Sequence, residues 1–406
     1  MGRILAGRPG TRGACPDHAI LQSYIDAGIQ HVASVPCSIT DTWQCLAALA
    51  SRRGDLRLTM STHEGNLVGI AVGSYFATGK PALVHMQNSG LMNAADGFIS
   101  CANAPIYRIP MAVMITYRGA GPDDTSEPHQ EIGCRTEPLI DAVFGDGAGV
   151  FGTRCGAGIQ RDLEQSIVTA LSGRIGVLKL APDAIERTTD LPAPAPHTLP
   201  GAADPDALRV RHGAPSMPSA IAGRRLWTRD DAIVAIAENH PDAALLFCNG
   251  FTSRAARSLV DRPGNLYNVG YMGGTSAIGW ALARERPGLE VVVVDGDQNA
   301  LMSTMKDHLL VDYPPNLSWY ILNNRIGASV GAAASLPLGD LYSTLARVVE
   351  TVPDRPGEFA HPRVSAQGAV FDSVPPDDIQ GKLASLSFRF RTWVSRHAQG
   401  GPHADR

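Results

Sequence analysis

Short runs of apolar residues recur along the chain, and each is followed by a polar or glycine-rich turn and then by helical spacing. The clearest run is the four-valine stretch 291–294, which leads directly into the polar turn 295–299. An unbroken apolar run of this kind predicts a strand that is buried on both faces of a parallel sheet. A helical pattern over 300–310 and a second apolar run over 317–322 follow, so this stretch predicts a strand–helix–strand unit.

The same alternation fills the first half of the chain. The predicted strands there are 31–35, 56–60, 81–86, 110–116 and 176–180. The predicted helices are 16–27, 40–50, 66–78 and 91–99. Because strands that alternate with helices usually pair in parallel, this half predicts a doubly wound α/β domain.

A second α/β half begins near 227, where Thr228 is predicted to cap a helix with Asp231 at the third helical position. Its first predicted strand is 244–247. The stretch 192–218 is rich in Pro, Ala and Gly, which predicts a linker between the halves. We therefore expect three segments, namely an N-terminal domain over 1–190, a linker over 191–225 and a C-terminal domain over 226–406.

The composition narrows the class of protein. Apolar residues make up 44% and charged residues 18% of the chain, which is typical of a globular protein and not of a disordered one. A formal net charge of −4 gives no indication of a nucleic-acid partner. The scattered cysteines include no C-x-x-C, so we expect reduced thiols in the cytoplasm and neither a disulfide framework nor a zinc site. We also expect no signal peptide and no membrane span, because no apolar run is long enough.

Two polar corners follow the strands of the 291–322 unit. Asp297 follows the first strand, and Asn324 follows the second. Because the carboxyl ends of neighbouring parallel strands meet at one edge of a sheet, both side-chain oxygens are expected at that edge. Such oxygens suit octahedral Mg2+ when phosphate oxygens complete its shell, and the helix N-terminus after Asp297 can hold phosphate. This arrangement predicts a metal-bridged diphosphate site; the alternative is an ordinary strand end with turn residues.

A third polar turn follows the predicted strand 244–247. Its glycine and small hydroxyls, at Gly250, Thr252 and Ser253, suit contacts with a diphosphate. The other interpretation is a simple helix cap at Thr252 or Ser253, and the two interpretations are compatible.

Glu64 is the candidate catalytic carboxylate of the first half. It follows the predicted strand 56–60 and opens the next helix, at the edge where open sheets bind ligands. A partly desolvated carboxyl group in that position can hold or share a proton. The alternative is a glutamate that only stabilises the dipole of its helix.

Two of these motifs resemble those of enzymes that use thiamine diphosphate (ThDP). Gly296-Asp297 followed by Asn323-Asn324 is similar to their diphosphate-binding signature, with Gln298 where the family has Gly. His63-Glu64-Gly65 resembles their N/H-E-G motif. The resemblance implies ThDP and Mg2+ as cofactors. It also implies that the glutamate hydrogen-bonds the aminopyrimidine ring nitrogen of ThDP and favours its imino tautomer.

The resemblance then narrows to phosphonopyruvate decarboxylase and sulfopyruvate decarboxylase, over roughly 32–142 and 248–324. The segments that carry it are Val35-Pro36-Cys37-Ser38, Met86-Gln87-Asn88-Ser89-Gly90-Leu91-Met92-Asn93-Ala94, Ile109-Pro110-Met111 and Tyr117-Arg118-Gly119. The Gln-Asn-Ser-Gly-Leu run is the most specific of them. We identify the chain on this basis as resembling that family of ThDP-dependent enzymes.

The resemblance implies a set of site residues. Those for the cofactor are Glu64, Asn88, Ser89, Gly250, Thr252, Ser253, Gly270, Met272, Asp297, Gln298, Asn299 and Asn324. Within that set, Met272 would prop the cofactor in its bent shape, and the Gly270 carbonyl would accept its 4′-amino group. The implied metal ligands are Asp297, Asn324 and the Ile326 backbone carbonyl.

The substrate side rests on the charge of the expected substrate. Because a 3-phosphono or 3-sulfo group is anionic, basic donors are expected to meet it. The candidates on loops past the strands of the first half are Arg118, His129 and Arg135. Ser38 resembles the serine that faces the substrate carboxylate in related decarboxylases.

The implied fold is two doubly wound parallel-sheet α/β domains of the ThDP-binding fold, the pyrimidine side first and the diphosphate side second, without a central third domain. In this family the cofactor lies between the first domain of one chain and the second domain of another. The resemblance therefore implies a homodimer or a larger even homo-oligomer with active sites at the subunit interface.

The implied reaction is the decarboxylation of 3-phosphonopyruvate to phosphonoacetaldehyde and CO2, in phosphonate biosynthesis. Three alternatives stay open. They are sulfopyruvate decarboxylase, a ThDP-dependent carboligase that joins the activated substrate to an acceptor aldehyde, and a non-catalytic cofactor-binding protein.

Overall fold

The computed structural model describes residues 14–103, 106–119, 124, 126–152, 158–189, 191, 227–327, 329, 333–352, 363–364, 370–371 and 382–397. The chain divides into two compact units. The first comprises Met1–Tyr75, Gly79–Ala104 and Arg108–Thr198, and the second comprises Phe76–Thr78, Pro105–Tyr107 and Leu199–Arg406. The predicted linker 191–225 lies outside the described residues except for Leu191. The predicted domain boundaries and the absence of a central third domain therefore stay predictions.

The first unit is built on a parallel sheet. Its strands are β1 (Cys15–Pro16), β2 (His31–Ser34), β3 (Arg57–Met60), β4 (Ala82–Gln87), β5 (Met111–Thr116), β6 (Ala148–Phe151), β7 (Ile175–Leu180) and β8 (Ile185–Glu186). Its helices are α1 (Asp17–Asp26), α2 (Asp41–Arg53), α3 (Glu64–Thr78), α4 (Leu91–Gly97), α5 (Glu127–Phe144) and α6 (Ile159–Leu171). Six strands pair in the order β3-β2-β4-β5-β7-β6, all parallel, and β1 pairs separately with β8.

This sheet confirms the predicted doubly wound architecture. All five strands predicted in this half are present, because each apolar run forms a strand with buried residues. The strand order reverses between β2 and β4, and open α/β sheets generally bind ligands at the carboxyl ends of the strands at such a reversal. Helix α5 has no counterpart in the sequence prediction: it contains Pro138, and a proline inside a helical pattern normally argues for a break.

The second unit is built on a smaller parallel sheet. Its strands are β9 (Ala244–Phe247), β10 (Asn265–Tyr267), β11 (Val291–Gly296), β12 (Leu317–Asn323), β13 (Ile326–Gly327), β14 (Ala333–Ala334), β15 (Arg347–Glu350), β16 (Arg363–Val364) and β17 (Val370–Phe371). Its helices are α7 (Arg229–Asn239), α8 (Phe251–Leu259), α9 (Thr275–Glu285), α10 (Asp297–Met302), α11 (Lys306–Val311), α12 (Asp340–Leu345) and α13 (Leu383–His397). Five strands pair in the order β10-β9-β11-β12-β15, all parallel.

The central strand β11 forms as its sequence predicts. Its four valines are at most 1% exposed, as expected for a strand with neighbours on both sides and helices on both faces. The predicted cap at Thr228 is confirmed as well. The Thr228 hydroxyl accepts the Asp231 N–H at 3.1 Å, and the Asp231 carboxylate accepts the Thr228 N–H at 3.3 Å, which is a capping box.

The predicted single helix over 300–310 is wrong in its continuity. The structure has two short helices, α10 and α11, with Ser303 between them in an extended conformation. The Ser303 hydroxyl accepts the Met305 N–H at 3.2 Å, so the side chain replaces the helical bond that the backbone loses there.

None of the described helices is both long enough and apolar enough to cross a membrane.

Candidate active-site regions

The carboxyl edge of the second sheet brings the two predicted metal-binding corners together. Strands β11 and β12 pair along their whole length, with Gly296 opposite Leu322, so the residues that follow each strand are neighbours. They border one cleft, which we call the second-sheet cleft. It is lined by Arg229, Cys248, Asn249, Gly250, Phe251, Thr252, Met272, Gly296, Asp297, Gln298, Asn299, Met302, Leu322, Asn324, Ile326, Gly327, Ser329 and Thr351.

Asp297 is almost buried at the first position of α10. Its carboxylate accepts the N–H of Gln298 at 2.7 Å and the N–H of Arg325 at 2.8 Å. Burial raises the pKa of Asp297, and these two backbone hydrogen bonds oppose that rise. The carboxylate is thus held in a fixed orientation between the ends of two neighbouring strands.

Asn324 and Ile326 complete the predicted metal-binding set. The Asn324 side-chain oxygen accepts the Ile326 N–H at 3.1 Å. Arg325 lies between them with φ of +63°, a left-handed conformation that turns the chain back towards Asp297. One carboxylate, one amide oxygen and one backbone carbonyl on a single cleft are hard oxygen donors of the kind that Mg2+ accepts, with phosphate oxygens completing the shell. The residues present therefore fit a magnesium-bridged diphosphate.

Across the part of the chain that the structure describes, no group of three or more His, Cys, Asp and Glu side chains is arranged to hold a metal ion.

The turn before α8 places two of its three predicted residues at the cleft. Gly250 has φ of +79°, and Thr252 is buried; both line the second-sheet cleft. Ser253 is not a lining residue, because its hydroxyl lies 2.7 Å from the carbonyl of Cys248 and 2.9 Å from that of Phe247. It therefore satisfies the carbonyl groups at the end of β9. The alternative of a helix cap at Thr252 or Ser253 is wrong, because α8 begins after Gly250 and has no side-chain cap. The contact of Ser253 with a cofactor stays a prediction.

The 270–274 loop supplies Met272, whose side chain is 52% exposed at the cleft. The loop is held from within by Asn268, whose amide donates to the Tyr271 carbonyl at 2.8 Å and to the Thr275 hydroxyl at 2.9 Å. Gly270 is not one of the cleft-lining residues, so its predicted contact with the 4′-amino group stays a prediction.

Helix α10 carries Gln298 and Asn299, two predicted cofactor contacts. Both line the cleft, but the amide of Asn299 is turned inward, where it donates to the buried Asp295 carboxylate. Burial raises the pKa of Asp295 to about 6, while hydrogen bonds from Trp319 and Asn299 favour its ionised form. The cofactor contacts predicted for Gln298 and Asn299 stay predictions.

Arg229 is a cleft residue that sequence reasoning missed. It is only 6% exposed, and its guanidinium carbon lies 5.4 Å from the centre of the Phe251 ring. The guanidinium also lies 3.4 Å from the Asp230 carboxylate. A buried cation on the lining of the cleft is nevertheless suited to bind an anionic group. The signal was weak, because an arginine at the first position of a helix is usually an exposed residue.

The carboxyl edge of the first sheet presents Glu64. It is the first residue of α3, half-buried, and His63 caps the helix by accepting the Gly65 N–H at 3.0 Å. The Glu64 carboxylate accepts a hydrogen bond from the Asn93 amide at 2.9 Å. A Cβ on Gly90 would lie 2.5 Å from the Glu64 side chain, so the glycine in the Gln-Asn-Ser-Gly-Leu run leaves the space that this carboxylate occupies.

Asn88 is wholly buried and organises the same edge. Its amide nitrogen donates to the Arg118 carbonyl at 3.0 Å and to the Thr136 hydroxyl at 2.8 Å, and its oxygen accepts the Arg118 N–H at 3.1 Å. Ser89 accepts a hydrogen bond from Gln87 at 2.8 Å. Asn88 therefore fixes the backbone of Arg118, and the cofactor contacts predicted for Asn88 and Ser89 stay predictions.

Two of the four substrate-binding candidates meet at this edge. The Arg118 guanidinium donates to the Ser38 hydroxyl, and its Nε donates to the Gln87 side-chain oxygen at 3.2 Å. These acceptors are uncharged, and no ion pair joins Arg118 to a carboxylate of the described residues. Ser38 and Arg118 thus form a half-exposed cationic site.

The other two candidates have acidic partners. His129 lies 2.8 Å from the Asp124 carboxylate, whose pKa is lowered by hydrogen bonds from the Gly119 backbone and from His129. Arg135 is 71% exposed and pairs with Glu131 one turn earlier in the same helix. The structure does not bring Arg135 to Ser38 and Arg118, and its substrate contact stays a prediction.

Comparison with solved structures identifies the class of fold. A thiamine diphosphate-dependent 4-hydroxybenzoylformate decarboxylase from Rhodococcus jostii RHA1 matches 82% of this chain and 92% of its own, with a TM-score of 0.55 and 13% identity. Together with the two parallel sheets, this match defines the chain as an α/β protein with the fold of ThDP-dependent enzymes. No protein-family model matches the chain.

Sequence relatives narrow the class. Phosphonopyruvate decarboxylase of Streptomyces hygroscopicus is 32% identical over 330 residues, which are 76% of this chain and 73% of that protein. The enzyme of the same name from Streptomyces viridochromogenes is 28% identical over 76% of this chain and 73% of its own length. Sulfopyruvate decarboxylase of Methanosarcina acetivorans is 26% identical over 80% of this chain and 79% of its own. The chain belongs to the phosphonopyruvate decarboxylase family.

Proposed function

We propose that this chain is a ThDP- and Mg2+-dependent 2-keto acid decarboxylase that converts 3-phosphonopyruvate to phosphonoacetaldehyde and CO2. The observation that carries the proposal is the second-sheet cleft, where Asp297, Asn324 and Ile326 lie beside a helix N-terminus. The relatives named phosphonopyruvate decarboxylase support the choice of substrate.

The second unit would hold the diphosphate end of the cofactor. Asp297, Asn324 and the Ile326 carbonyl would bind Mg2+, and the turn at Gly250 and Thr252 would contact the phosphate oxygens. ThDP, when bound, would supply a carbon nucleophile for the keto group and a cationic ring that accepts the electron pair left when CO2 departs.

The first unit would supply the proton chemistry. The Glu64 carboxyl would share a proton with the aminopyrimidine ring nitrogen, and its contact with Asn93 orients the carboxylate for that role. We propose that Glu64 of one subunit and the second-sheet cleft of another act on the same cofactor, so that the active form is a homodimer or a larger even homo-oligomer.

The substrate would be held through its charges. A 3-phosphonopyruvate molecule carries a carboxylate and a phosphonate, and the Arg118 guanidinium offers charge-assisted hydrogen bonds to one of these groups. Ser38 would donate its hydroxyl beside it, since the two side chains are already in contact.

Sulfopyruvate decarboxylase is the second candidate function, because a relative of that name matches the chain over a comparable length. The two substrates differ at the terminal group: a sulfonate carries one negative charge, and a phosphonate carries up to two near neutral pH. A site that prefers the phosphonate should therefore depend more strongly on its cations.

Steady-state kinetics with both keto acids, in the presence of ThDP and Mg2+, tests the proposal. We expect phosphonopyruvate to be turned over with a kcat/KM at least tenfold above that of sulfopyruvate, with phosphonoacetaldehyde and CO2 as the products. A reversed preference would favour the second candidate. A carbon–carbon-coupled main product, or tight ThDP binding with neither substrate consumed, would overturn both.

A further inference from the structure

A line of buried hydrogen bonds runs beneath the second-sheet cleft. The Trp319 indole N–H donates to one Asp295 carboxylate oxygen at 2.8 Å, and the Asn299 amide donates to the other at 2.6 Å. The Asn299 side-chain oxygen in turn accepts the N–H of Gly273 at 2.8 Å. The line therefore joins strand β12, strand β11, helix α10 and the 270–274 loop.

The direction of each hydrogen bond in this line is determined. A backbone N–H can only donate, so the Asn299 atom that faces Gly273 must be the oxygen. The other end of the amide is then the NH2 group, which faces Asp295, and that carboxylate can only accept when it is ionised. The Asn299 side chain is thus held at both ends, by Gly273 and by Asp295.

Asp295 is a costly residue to keep in this position. Its side chain is completely buried on the central strand, and a buried carboxylate destabilises a fold unless hydrogen bonds compensate for lost hydration. An apolar residue would suit the core of a parallel strand better, as the four preceding valines show. The polar line therefore needs a reason other than the stability of the sheet.

The loop at the far end of the line fits closely against α10. Gly273 has φ of +71°, and a Cβ there would lie 2.7 Å from the carbonyl group of Met302, the last residue of α10. A second buried contact supports the same packing: the hydroxyls of Ser276 and Ser303 lie 2.7 Å apart. The 270–274 loop is thus fixed to the helix that begins at Asp297.

We propose that Asp295 and Asn299 are positioning residues that hold the 270–274 loop at a set distance from the metal-binding end of α10. If the proposed function holds, on which this inference rests, the diphosphate would bind at one end of α10 and Met272 would support the rest of the cofactor from the loop. The polar line holds α10 and the 270–274 loop together in the absence of ThDP. The loop therefore loses less conformational entropy when ThDP binds.

The Asp and Asn at positions 295 and 299 can be swapped, which gives two single variants and one double variant. In Asp295→Asn, the donors of Trp319, residue 295 and Asn299 outnumber the acceptors between them. In Asn299→Asp, two carboxyl groups lie next to each other with no donor between them. The double variant Asp295→Asn/Asn299→Asp restores every bond: residue 295 accepts from Trp319 and donates to residue 299, which still accepts from Gly273. A double-mutant cycle therefore separates the line from the identity of either residue.

The experiment measures three quantities for the wild type and the variants. They are the thermal unfolding midpoint without ligands, the fluorescence of Trp319 relative to a Trp319→Phe variant, and the Kd for ThDP in saturating Mg2+. For each single variant we expect a lower midpoint, changed Trp319 emission and at least tenfold weaker ThDP binding. The double variant should recover the midpoint and the emission, with ThDP affinity above that of Asn299→Asp alone.

Asn316 provides a matched control. It is a partly buried asparagine outside the cleft, and its amide donates to the carbonyls of Ala283, Arg286 and Leu289 at 3.1, 2.9 and 2.7 Å. Asn316→Ala should lower the unfolding midpoint and leave the Kd for ThDP unchanged.

Single variants at 295 and 299 that behave like Asn316→Ala, with lost stability but wild-type ThDP affinity, would overturn the positioning role. A double variant no better than the single variants would overturn the hydrogen-bonded line itself. Failure of the proposed function would look different. If the cofactor assignment fails, the wild type does not bind ThDP while the stability cycle still reports on the line; if only the decarboxylation fails, ThDP binding and the variant cycle stay measurable while neither keto acid is consumed.

Discussion

The two sheets place polar groups at the same kind of edge but hold them in different ways. At the first sheet, Glu64 and Arg118 are half-buried and are held by single side-chain contacts with Asn93, Ser38 and Gln87. At the second sheet, Asp297 is buried and its two carboxylate oxygens accept backbone N–H groups, while Asn299 is tied to the buried Asp295. The first edge presents partly exposed groups that can react. The second edge is a binding site whose side chains are already fixed in position, and we call it the preformed cradle.

This difference has a physical consequence. Glu64 and Arg118 contribute little to folding, so their replacement should change the reaction and leave stability intact. Residues at the second edge contribute to both binding and packing, so their replacement should change affinity and stability together.

The largest effect is expected at Glu64. Glu64→Gln keeps the shape of the side chain and removes the ability to share a proton, so kcat should fall by about 10^3-fold. Steady-state kinetics measures this, and calorimetry should find ThDP binding within a few-fold of wild type. Glu131→Gln, which removes an exposed glutamate paired with Arg135, is the control and should keep wild-type kcat. Wild-type kcat in Glu64→Gln would contradict a role for Glu64 in the reaction.

A smaller effect is expected at the metal-binding corner. Asp297→Ala removes the only carboxylate of the proposed metal ligands, so Mg2+-dependent ThDP binding should weaken about 100-fold. Titration calorimetry at fixed ThDP with increasing Mg2+ measures the change. Asp340→Ala, at an exposed helix start outside the cleft, should bind like wild type. Unchanged ThDP affinity in Asp297→Ala would contradict the proposal that the second-sheet cleft binds the metal and the diphosphate.

At the substrate end of the first edge, Arg118→Gln should raise KM for phosphonopyruvate about 10- to 100-fold, because a charge-assisted hydrogen bond is lost. Arg135→Gln is the matched comparison. Its guanidinium already pairs with Glu131, so we expect KM to rise less than about threefold. Equal effects would mean that both arginines contact the substrate, as the sequence predicts.

Arg229 tests whether the cradle uses a buried cation. Arg229→Gln should weaken ThDP binding about tenfold and affect thiamine, which has no diphosphate, much less. Arg254 lies 5.9 Å from the same Phe251 ring but does not line the cleft, so Arg254→Gln is a matched control with expected wild-type affinity. A loss of stability without a loss of affinity in Arg229→Gln would limit this residue to packing.

The smallest effect concerns a pair away from either edge. His240 lies 2.8 Å from Glu290, and this hydrogen bond lowers the pKa of the glutamate from its ordinary value of 4.5. A lowered folded-state pKa stabilises the fold above pH 4.5 and loses that contribution as pH falls through the folded value. Glu290→Gln should therefore slightly reduce the fall in the free energy of unfolding between neutral and acidic pH, with no change in kcat. Denaturant unfolding at a series of pH values measures this. A fall as large as in the wild type would contradict this.

The strands and the proximity of Asp297 to Asn324 could be predicted from the sequence for simple reasons. Apolar runs in an alternating α/β pattern specify buried parallel strands, and neighbouring strand ends bring Asp297 and Asn324 together whatever the rest of the fold does. The glycine at position 90 could be placed in a motif, but its close approach to Glu64 became visible only in the structure.

The remaining features depend on which side of a helix packs inward. Ser253 was predicted at a ligand site from residue type and Asn299 from the family resemblance, yet their hydrogen bonds are made to the sheet and the core. The burial of Arg229 depends on its packing against Phe251, and the partner of Arg135 lies in a helix that contains a proline. Such choices are set by tertiary packing and leave no trace in local periodicity.

The central claim is that Glu64 and the second-sheet cleft act on one cofactor from different subunits. Co-expression of Glu64→Gln chains with Asp297→Ala chains, carrying different tags so that mixed oligomers can be purified, tests it directly. In a mixed dimer one of the two sites is intact, so purified mixed dimers should show about half of wild-type activity, and the unpurified random mixture about a quarter. Purified mixed oligomers with no more activity than either parent would contradict the claim.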